Sequence, residues 1–303
     1  MNVFVLRLRP LSPWVTPWHS SSLWGALCWA LADILDTETF KEWLEAARQG
    51  KPRFVVSDAF PAGLLPFPAG VKARTTEHKF KPAWITRETF REFSQTAQPE
   101  LTPAATLAPP FNTSSTLHAA IGRNTNATSD DGELFEVDVQ SFGATYGQPH
   151  ELDVYMALED GSADSLLAAW TLLSIRGFGR YRTSGLGAFE LVTELDRQAW
   201  LESRSAACGF MALSHFVPSP ADPVDGAWRL SVSYPKFQGD RVQRYLKGRV
   251  VYLAPGALFR ASGEVRPYYG SALCMARPEF PGAIHPAFCL AAPISSPWWE
   301  ASN

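Results

Sequence analysis

The order of strand-like and helix-like periods along this chain predicts an α+β protein of two sheet domains, and three observations carry that prediction. Residues 3–9 alternate apolar and basic side chains, residues 165–175 repeat their apolar positions at helical spacing, and beyond residue 207 strand-like runs succeed one another with no long helix between them. At 303 residues the chain exceeds one usual domain. It is 46% hydrophobic and 19% charged, against about 25% charged on average, a composition that buries a core.

The elements follow in order. In Val3–Arg9, Phe4, Leu6 and Leu8 share one face while Arg7 and Arg9 share the other, the pattern of a half-buried strand. Pro10 and Pro13 break it. Ser20, Ser21 or Ser22 then caps a helix whose Leu23, Leu27, Leu31 and Ile34 line one face. Arg53–Ser57 reads as a short strand, closed by a run of Pro and Gly from Pro61 to Gly70. From about residue 68 to 150 periodicity weakens, and a stretch that long is expected to hold short hairpins and helices or to order against a partner. Leu152–Leu158 reads as a strand, Ser165–Ile175 as a helix and Ala188–Leu195 as a strand. Joined, these give β-α-β, an insertion, then β-α-β, the order of a ferredoxin-like domain over residues 1–200. The runs Phe210–Val217, Trp228–Tyr234, Val250–Leu253 and Ala287–Ala291 predict a second, degenerate ferredoxin-like domain over 201–303.

Charge and cysteine content narrow the function classes. Lys and Arg number 27 and Asp and Glu 30, a net charge of 27 − 30 = −3, which excludes a uniformly basic coat and leaves room for a local basic groove. Cys28, Cys208, Cys274 and Cys289 show no C-x-x-C spacing and no disulfide-scaffold density, so a reduced, cytoplasmic protein is expected, with no structural zinc motif. Cys28 falls within the apolar helix and reads as core. No apolar stretch approaches the roughly 20 residues of a membrane span.

The sharpest local feature is Gly177 to Phe189, between a predicted helix and a predicted strand. Gly177, Gly179, Gly185 and Gly187 permit positive φ and close backbone approach to an anion. Arg180 and Arg182 supply charge, Ser184 a hydroxyl and Tyr181 a face for stacking a base. A tight helix-to-strand turn accounts for the glycines, and leaves two arginines and a tyrosine over. A dinucleotide fingerprint does not fit, because position 182 is Arg and the loop precedes a strand. His19 and Ser20 sit at a predicted helix start, where a general base or a phosphate site could lie; a surface histidine and capping serines are the plainer reading. Residues 72–91 hold six Lys or Arg and two Glu, and residues 236–249 hold Lys236, Arg241, Arg244, Lys247 and Arg249 against Asp240, so each stretch carries +4. No G-x-S-x-G, H-E-x-x-H or Walker A pattern occurs.

Three separated blocks resemble the RAMP superfamily of CRISPR RNA-binding proteins, and within it the fourth-subunit family of the type III-A (Csm) effector complex. They are His19-Ser20-Ser21-Ser22-Leu23-Trp24-Gly25-Ala26-Leu27, Ile121-Gly122-Arg123-Asn124-Thr125 with Gly132-Glu133-Leu134-Phe135, and the glycine loop itself. Gly256-Ala257-Leu258-Phe259 and His285-Pro286-Ala287-Phe288 fit the second domain more loosely. Two positions depart from the pattern: Gly122 stands where an acidic residue is expected, and Arg180 where glycines are often paired. The resemblance implies a non-catalytic subunit without a cofactor that grips the 5′ handle of the crRNA. Its implied partners are the large polymerase-like signature subunit and the repeating backbone subunit. The implied RNA contacts are Gly177, Gly179, Arg180, Tyr181, Arg182, Ser184, Gly185 and Gly187, with Arg123 from the insertion and Arg7, His19 and Ser20 lining the groove. Lys236 and Arg249 would extend the basic surface. Two other readings are a metal-independent endoribonuclease that uses His19 as general base, and a nucleotide or small-anion sensor built on the loop.

Overall fold

The computed structural model describes the chain except for residues 75–82, 97–99, 105–109, 120–133, 144–148, 238–245, 279 and 301–303. Its first sheet has four main strands: β1 (Asn2–Pro10), β2 (Phe54–Pro61), and two strands that follow the insertion. The insertion carries a hairpin of β3 (Phe111–Ala119) and β4 (Leu134–Phe142). The sheet is completed by β5 (Leu152–Leu158) and β6 (Phe189–Leu191), in the order β6-β1-β5-β2 with every pairing antiparallel. A two-residue strand, Asp196–Arg197, extends the β6 edge of β1.

Burial of β1 goes further than alternation predicts. Leu6 and Leu8 are buried as expected, but Val3 and Val5 on the opposite face are buried too. All of β5 is buried, the mark of a central strand covered on both faces. Four helices accompany the sheet: α1 (Ser20–Ile34), α2 (Thr37–Arg48), α3 (Arg87–Gln95) and α4 (Ala163–Arg176). Leu23, Leu27 and Leu31 point inward from α1, while Ile34 is exposed. The residue that caps α1 is His19, without a side-chain hydrogen bond, so the three serines lie inside the helix and do not cap it. Helix α2, absent from the periodicity reading, is capped by Asp36, which accepts from the Glu38 and Thr39 amides.

Strand β2 carries a bulge. Val56 pairs with Met156 and Ala59 with Val154, so Ser57 and Asp58 together face Tyr155 alone. The Ser57 hydroxyl accepts from the Tyr155 amide at 2.9 Å in place of a ladder bond. Asp58 is released from the sheet and its amide donates to the Leu213 carbonyl at 3.0 Å.

The second sheet comprises β7 (Gly209–Ala212), β8 (Gly226–Ala227), β11 (Leu258–Arg260), β12 (Tyr268–Cys274) and β13 (Ile284–Ile294), ordered β8-β11-β7-β13-β12. Beside it β9 (Leu230–Ser233) and β10 (Val250–Leu253) form a separate ribbon. Trp228, Leu230, Val232 and Tyr234 alternate along that ribbon and are all exposed. No α-helix follows Arg176 among the described residues. The main apolar cluster is shared: Leu213, Leu258, Phe288, Leu290 and Ile294 belong to the same buried group as Leu6, Leu23 and Tyr155. Helix α1 packs against both β2 and the long strand β13, and those two strands also touch one another, so the two sheets share one core.

Candidate nucleic-acid interface

The glycine loop has a buried neck and an exposed tip. Helix α4 stops where Gly177 takes φ +73°. Phe178 then turns inward and stacks on Trp18 at 4.3 Å. Its amide donates to the Gly187 carbonyl at 2.8 Å, and the Gly187 amide donates to the Pro13 carbonyl at 2.8 Å. Gly187 has φ +70°, and a Cβ there would fall 2.0 Å from the Phe178 carbonyl oxygen. Gly179, at φ +84°, lies against Thr16, whose Cβ a methyl group would meet at 2.6 Å. These three glycines are required by backbone geometry and close packing.

That geometry bears on part of the sequence expectation that the loop amides face an anion. The amides of Phe178, Arg180, Ser184, Gly185, Leu186, Gly187 and Ala188 all donate within the protein. Gly177 and Gly187 are buried and shape the neck. Only Gly185 of the four glycines is exposed.

What the loop offers outward is side chains. Arg180, Arg182 and Ser184 are exposed at the tip, and among the described residues no carboxylate pairs with either arginine. Arg180 lies over the Tyr181 ring, 4.4 Å from its centroid, and its guanidinium donates to the Tyr181 hydroxyl at 2.7 Å. Tyr181 has φ 61°, the sole positive φ of a non-glycine among the described residues. A left-handed tyrosine is a strained residue held by its surroundings. Its carbonyl accepts from the Ser184 and Leu186 amides, which closes the tip as a single 3-10 turn over Arg182–Ser184.

The insertion hairpin reaches this tip. His118 of β3 stacks on Tyr181 at 5.8 Å with the planes 15° apart, and on its cross-strand partner Phe135 of β4 at 5.6 Å and 17°. Phe135, His118, Tyr181 and Arg180 thus form one column of flat groups. Neither His118 nor Phe135 is among the contacts expected from sequence; Phe135 falls in the block Gly132-Glu133-Leu134-Phe135 that carries the resemblance, and His118 lies in a segment read as irregular.

The other expected contacts are placed as follows. Arg7 is half-buried and makes a two-pronged pair with Asp153, at 2.8 and 3.1 Å, a hydrogen bond that raises its pKa. Its charge is therefore matched inside the fold. Ser20 is buried; its amide donates to Asp58 Oδ1 at 2.9 Å and its hydroxyl to the His215 carbonyl at 3.2 Å, so it does not line an open groove. Lys236 and Arg249 are exposed at the end of the β9–β10 ribbon, in the second domain, and no hydrogen bond or ion pair joins that ribbon to the loop among the described residues. Arg123 and much of both basic stretches lie outside the described residues.

His19 is only three residues beyond Thr16, on which the loop neck rests, and it opens a second cluster. Its ring stacks on His215 at 4.1 Å, and His215 Nδ1 is hydrogen bonded to Asp58 Oδ2 at 2.5 Å. Burial alone would raise the Asp58 pKa, but the facing His215 and His19 imidazoles and the Ser20 amide hold it well below the usual carboxylate range. Burial works to lower the His215 pKa, and Asp58 overrides it to a net rise. For His19 burial prevails and the pKa falls. Two imidazoles and a carboxylate thus meet where α1, the β2 bulge and the chain after β7 converge.

No family model matches the sequence, and no curated protein matches it. Among solved structures, a chain of a Csm3-Csm4 subcomplex in the type III-A CRISPR-Cas interference complex is similar, with a TM-score of 0.61 at 13% identity, over 98% of this chain and 100% of that one. A chain of a Csm1-Csm4 cassette in complex with AMPPNP gives 0.58 at 15% identity over 96% and 97%. The same cassette in complex with pppApA gives 0.57 at 16% identity over 97% of each chain. Csm4 is the component common to these assemblies. The fold is shared from end to end, at an identity that carries no residue-level correspondence.

Proposed function

We propose that this chain is a Csm4-like, non-catalytic RNA-binding subunit of a type III CRISPR effector ribonucleoprotein. In this reading it grips the 5′ handle of the crRNA and joins the large polymerase-like signature subunit to the filament of repeating backbone subunits, in the cytoplasm, as part of antiviral defence. The strand order β6-β1-β5-β2 supports a first ferredoxin-like domain over residues 1–200, interrupted by the insertion at about 68–150. The helix-poor second sheet supports a degenerate counterpart over 201–303. The Csm1-Csm4 and Csm3-Csm4 assemblies support two protein partners. The exposed stripe of Trp228, Leu230, Val232 and Tyr234 is apolar surface suited to one of them.

One observation carries the RNA reading: Arg180 and Arg182 stand exposed without carboxylate partners among the described residues, on either side of a tyrosine that the insertion hairpin stacks upon. Single-stranded RNA is held by ion pairs to its phosphates and by stacking on aromatic faces. The test is binding of handle-containing RNA to the full chain across a range of salt. Replacing Arg180 and Arg182 by Ala is expected to weaken binding and to flatten the salt dependence by ~0.7 log units per log unit of salt for each phosphate no longer neutralised. Unchanged affinity and slope overturn the reading.

A second reading, a metal-independent endoribonuclease acting on repeat RNA, draws on one observation: His19 is an imidazole of lowered pKa beside a histidine–carboxylate pair. Cleavage of repeat RNA in chelator, abolished in His19→Ala, would replace the first reading with this one.

A further inference from the structure

His19, Asp58 and His215 come from three distant parts of the chain, and their ligating atoms lie within 4.8 Å of one another. We propose that they form a binding site for a divalent transition metal of the Zn²⁺ class, with two imidazoles and one carboxylate as ligands and the remaining positions left to water. The proposal is independent of whether the glycine loop binds RNA.

The donor set selects the metal. Imidazole nitrogen and a single carboxylate suit Zn²⁺, Co²⁺ or Fe²⁺, whereas Ca²⁺ and Mg²⁺ take shells of oxygen. The supporting hydrogen bonds that a metal site needs are already present. Asp58 Oδ1 accepts from the Ser20 amide at 2.9 Å and the His215 amide at 3.1 Å, so the carboxylate is fixed in place by backbone. Asp58 Oδ2 and His215 Nδ1 are 2.5 Å apart with a proton between them. A metal would take the place of that proton, as binding to an imidazole requires.

His19 supplies the mobile arm. No hydrogen bond to its ring nitrogens occurs among the described residues, and the ring is held only by its stack on His215. Asp58 is the most buried of the three, and both imidazoles keep partial exposure. Bonds of about 2.0–2.2 Å set neighbouring donor atoms roughly 3–3.5 Å apart, so the contact of His215 Nδ1 with Asp58 Oδ2 opens as the metal replaces its proton, and the His19 ring turns to bring its nitrogen in without breaking a further hydrogen bond among the described residues.

The test uses the full chain, stripped with chelator and titrated with Co²⁺ and then Zn²⁺. Bound Co²⁺ is expected to show visible ligand-field bands saturating at one equivalent, and Zn²⁺ to abolish them. Asp58 also ties two backbone amides, so its variants risk the fold; His19→Ala, at the solvent edge, is the deciding variant, with His215→Asn beside it. Each is expected to weaken binding by more than about a hundredfold, with an unchanged circular dichroism spectrum. Cys274→Ser, outside the cluster, is expected to bind as the parent does. No ligand-field bands, or bands of full strength in folded His19→Ala, would overturn the site.

Discussion

His118 on the insertion hairpin and Tyr181 at the tip of the glycine loop stack with ring centroids 5.8 Å apart, although 63 positions separate them in sequence. The stack fixes one face of Tyr181 and leaves Arg180 on the ring as well. With His118 on one face and Arg180 over the ring, a base stacks on Tyr181 only by displacing the guanidinium; Tyr181→Ala, which removes the support of Arg180, is expected to lose about 1–3 kcal/mol of RNA binding. His118→Ala, which removes only the support, is expected to lose less. Tyr181→Phe is expected to bind as the parent does. Fluorescence anisotropy with handle RNA checks the ranking.

The same tyrosine carries backbone strain. A left-handed L-residue costs roughly 1–2 kcal/mol, and Tyr181 has φ 61°. Tyr181→Gly is therefore expected to leave stability to urea unchanged or to raise it by about 1 kcal/mol while RNA binding falls. A parallel loss of both would show that the ring serves the fold.

Two glycines of the loop should answer differently to a methyl group. Gly187→Ala places a Cβ 2.0 Å from the Phe178 carbonyl oxygen, a backbone atom that cannot swing away. A loss of about 2–4 kcal/mol is expected, with the neck opening. Gly185→Ala meets nothing within 4 Å and carries only the positive-φ penalty, about 1 kcal/mol. Chemical denaturation of the two variants separates them.

These outcomes bear on what the sequence makes legible. Strand β5 is legible residue for residue, because a run of seven apolar-rich positions bounded by loop residues has one reading. The strand predicted over Ala188–Leu195 shrinks to Phe189–Leu191, since Glu194 and Asp196 cluster where the edge pairing changes partner. Helix α2 carries a legible stripe, Phe40, Trp43, Leu44 and Ala47 at helical spacing, which packs on the main cluster; a reading that follows the longer apolar runs does not reach it because charged residues fill the positions between. The loop's arginines are legible as chemistry. The burial of its glycines is not, because it depends on Thr16, Pro13 and Trp18, residues more than 150 positions away. Distance in sequence likewise hides the meeting of His19 with Asp58 and His215.

The Asp36 cap offers a direct check on α2. Its carboxylate accepts from two amides of the first turn, which also lowers its pKa. Asp36→Ala is expected to lower the urea midpoint, whereas Asp36→Asn or Asp36→Ser, which keep an acceptor at the cap, is expected to hold it.

Acid should act on His285. This side chain is buried, its Nε2 is hydrogen bonded to the Tyr252 hydroxyl, and burial with help from the Lys247 charge pushes its pKa down to about 3 from 6.5. Between those values the unfolded chain binds a proton that the folded chain does not, so stability is full above pH 6.5 and falls as pH drops. The slope from this group is about 1.4 kcal/mol per pH unit. His285→Gln is expected to flatten the curve by that amount between pH 6.5 and 4. Parallel curves for parent and variant would rule His285 out as the cause.

The extra residue in β2 is what lets that strand reach out of its own sheet. Ser57 and Asp58 share the place opposite Tyr155, so loss of either would leave Val56 opposite Met156 and Ala59 opposite Val154 with one residue between, a regular ladder in which Phe54, Val55 and Val56 keep their partners and faces. A single in-frame codon deletion there would thus spare the ladder and cost the junction, since it would withdraw the carboxylate that ties the Ser20 and His215 amides and so loosen both halves of the molecule at once.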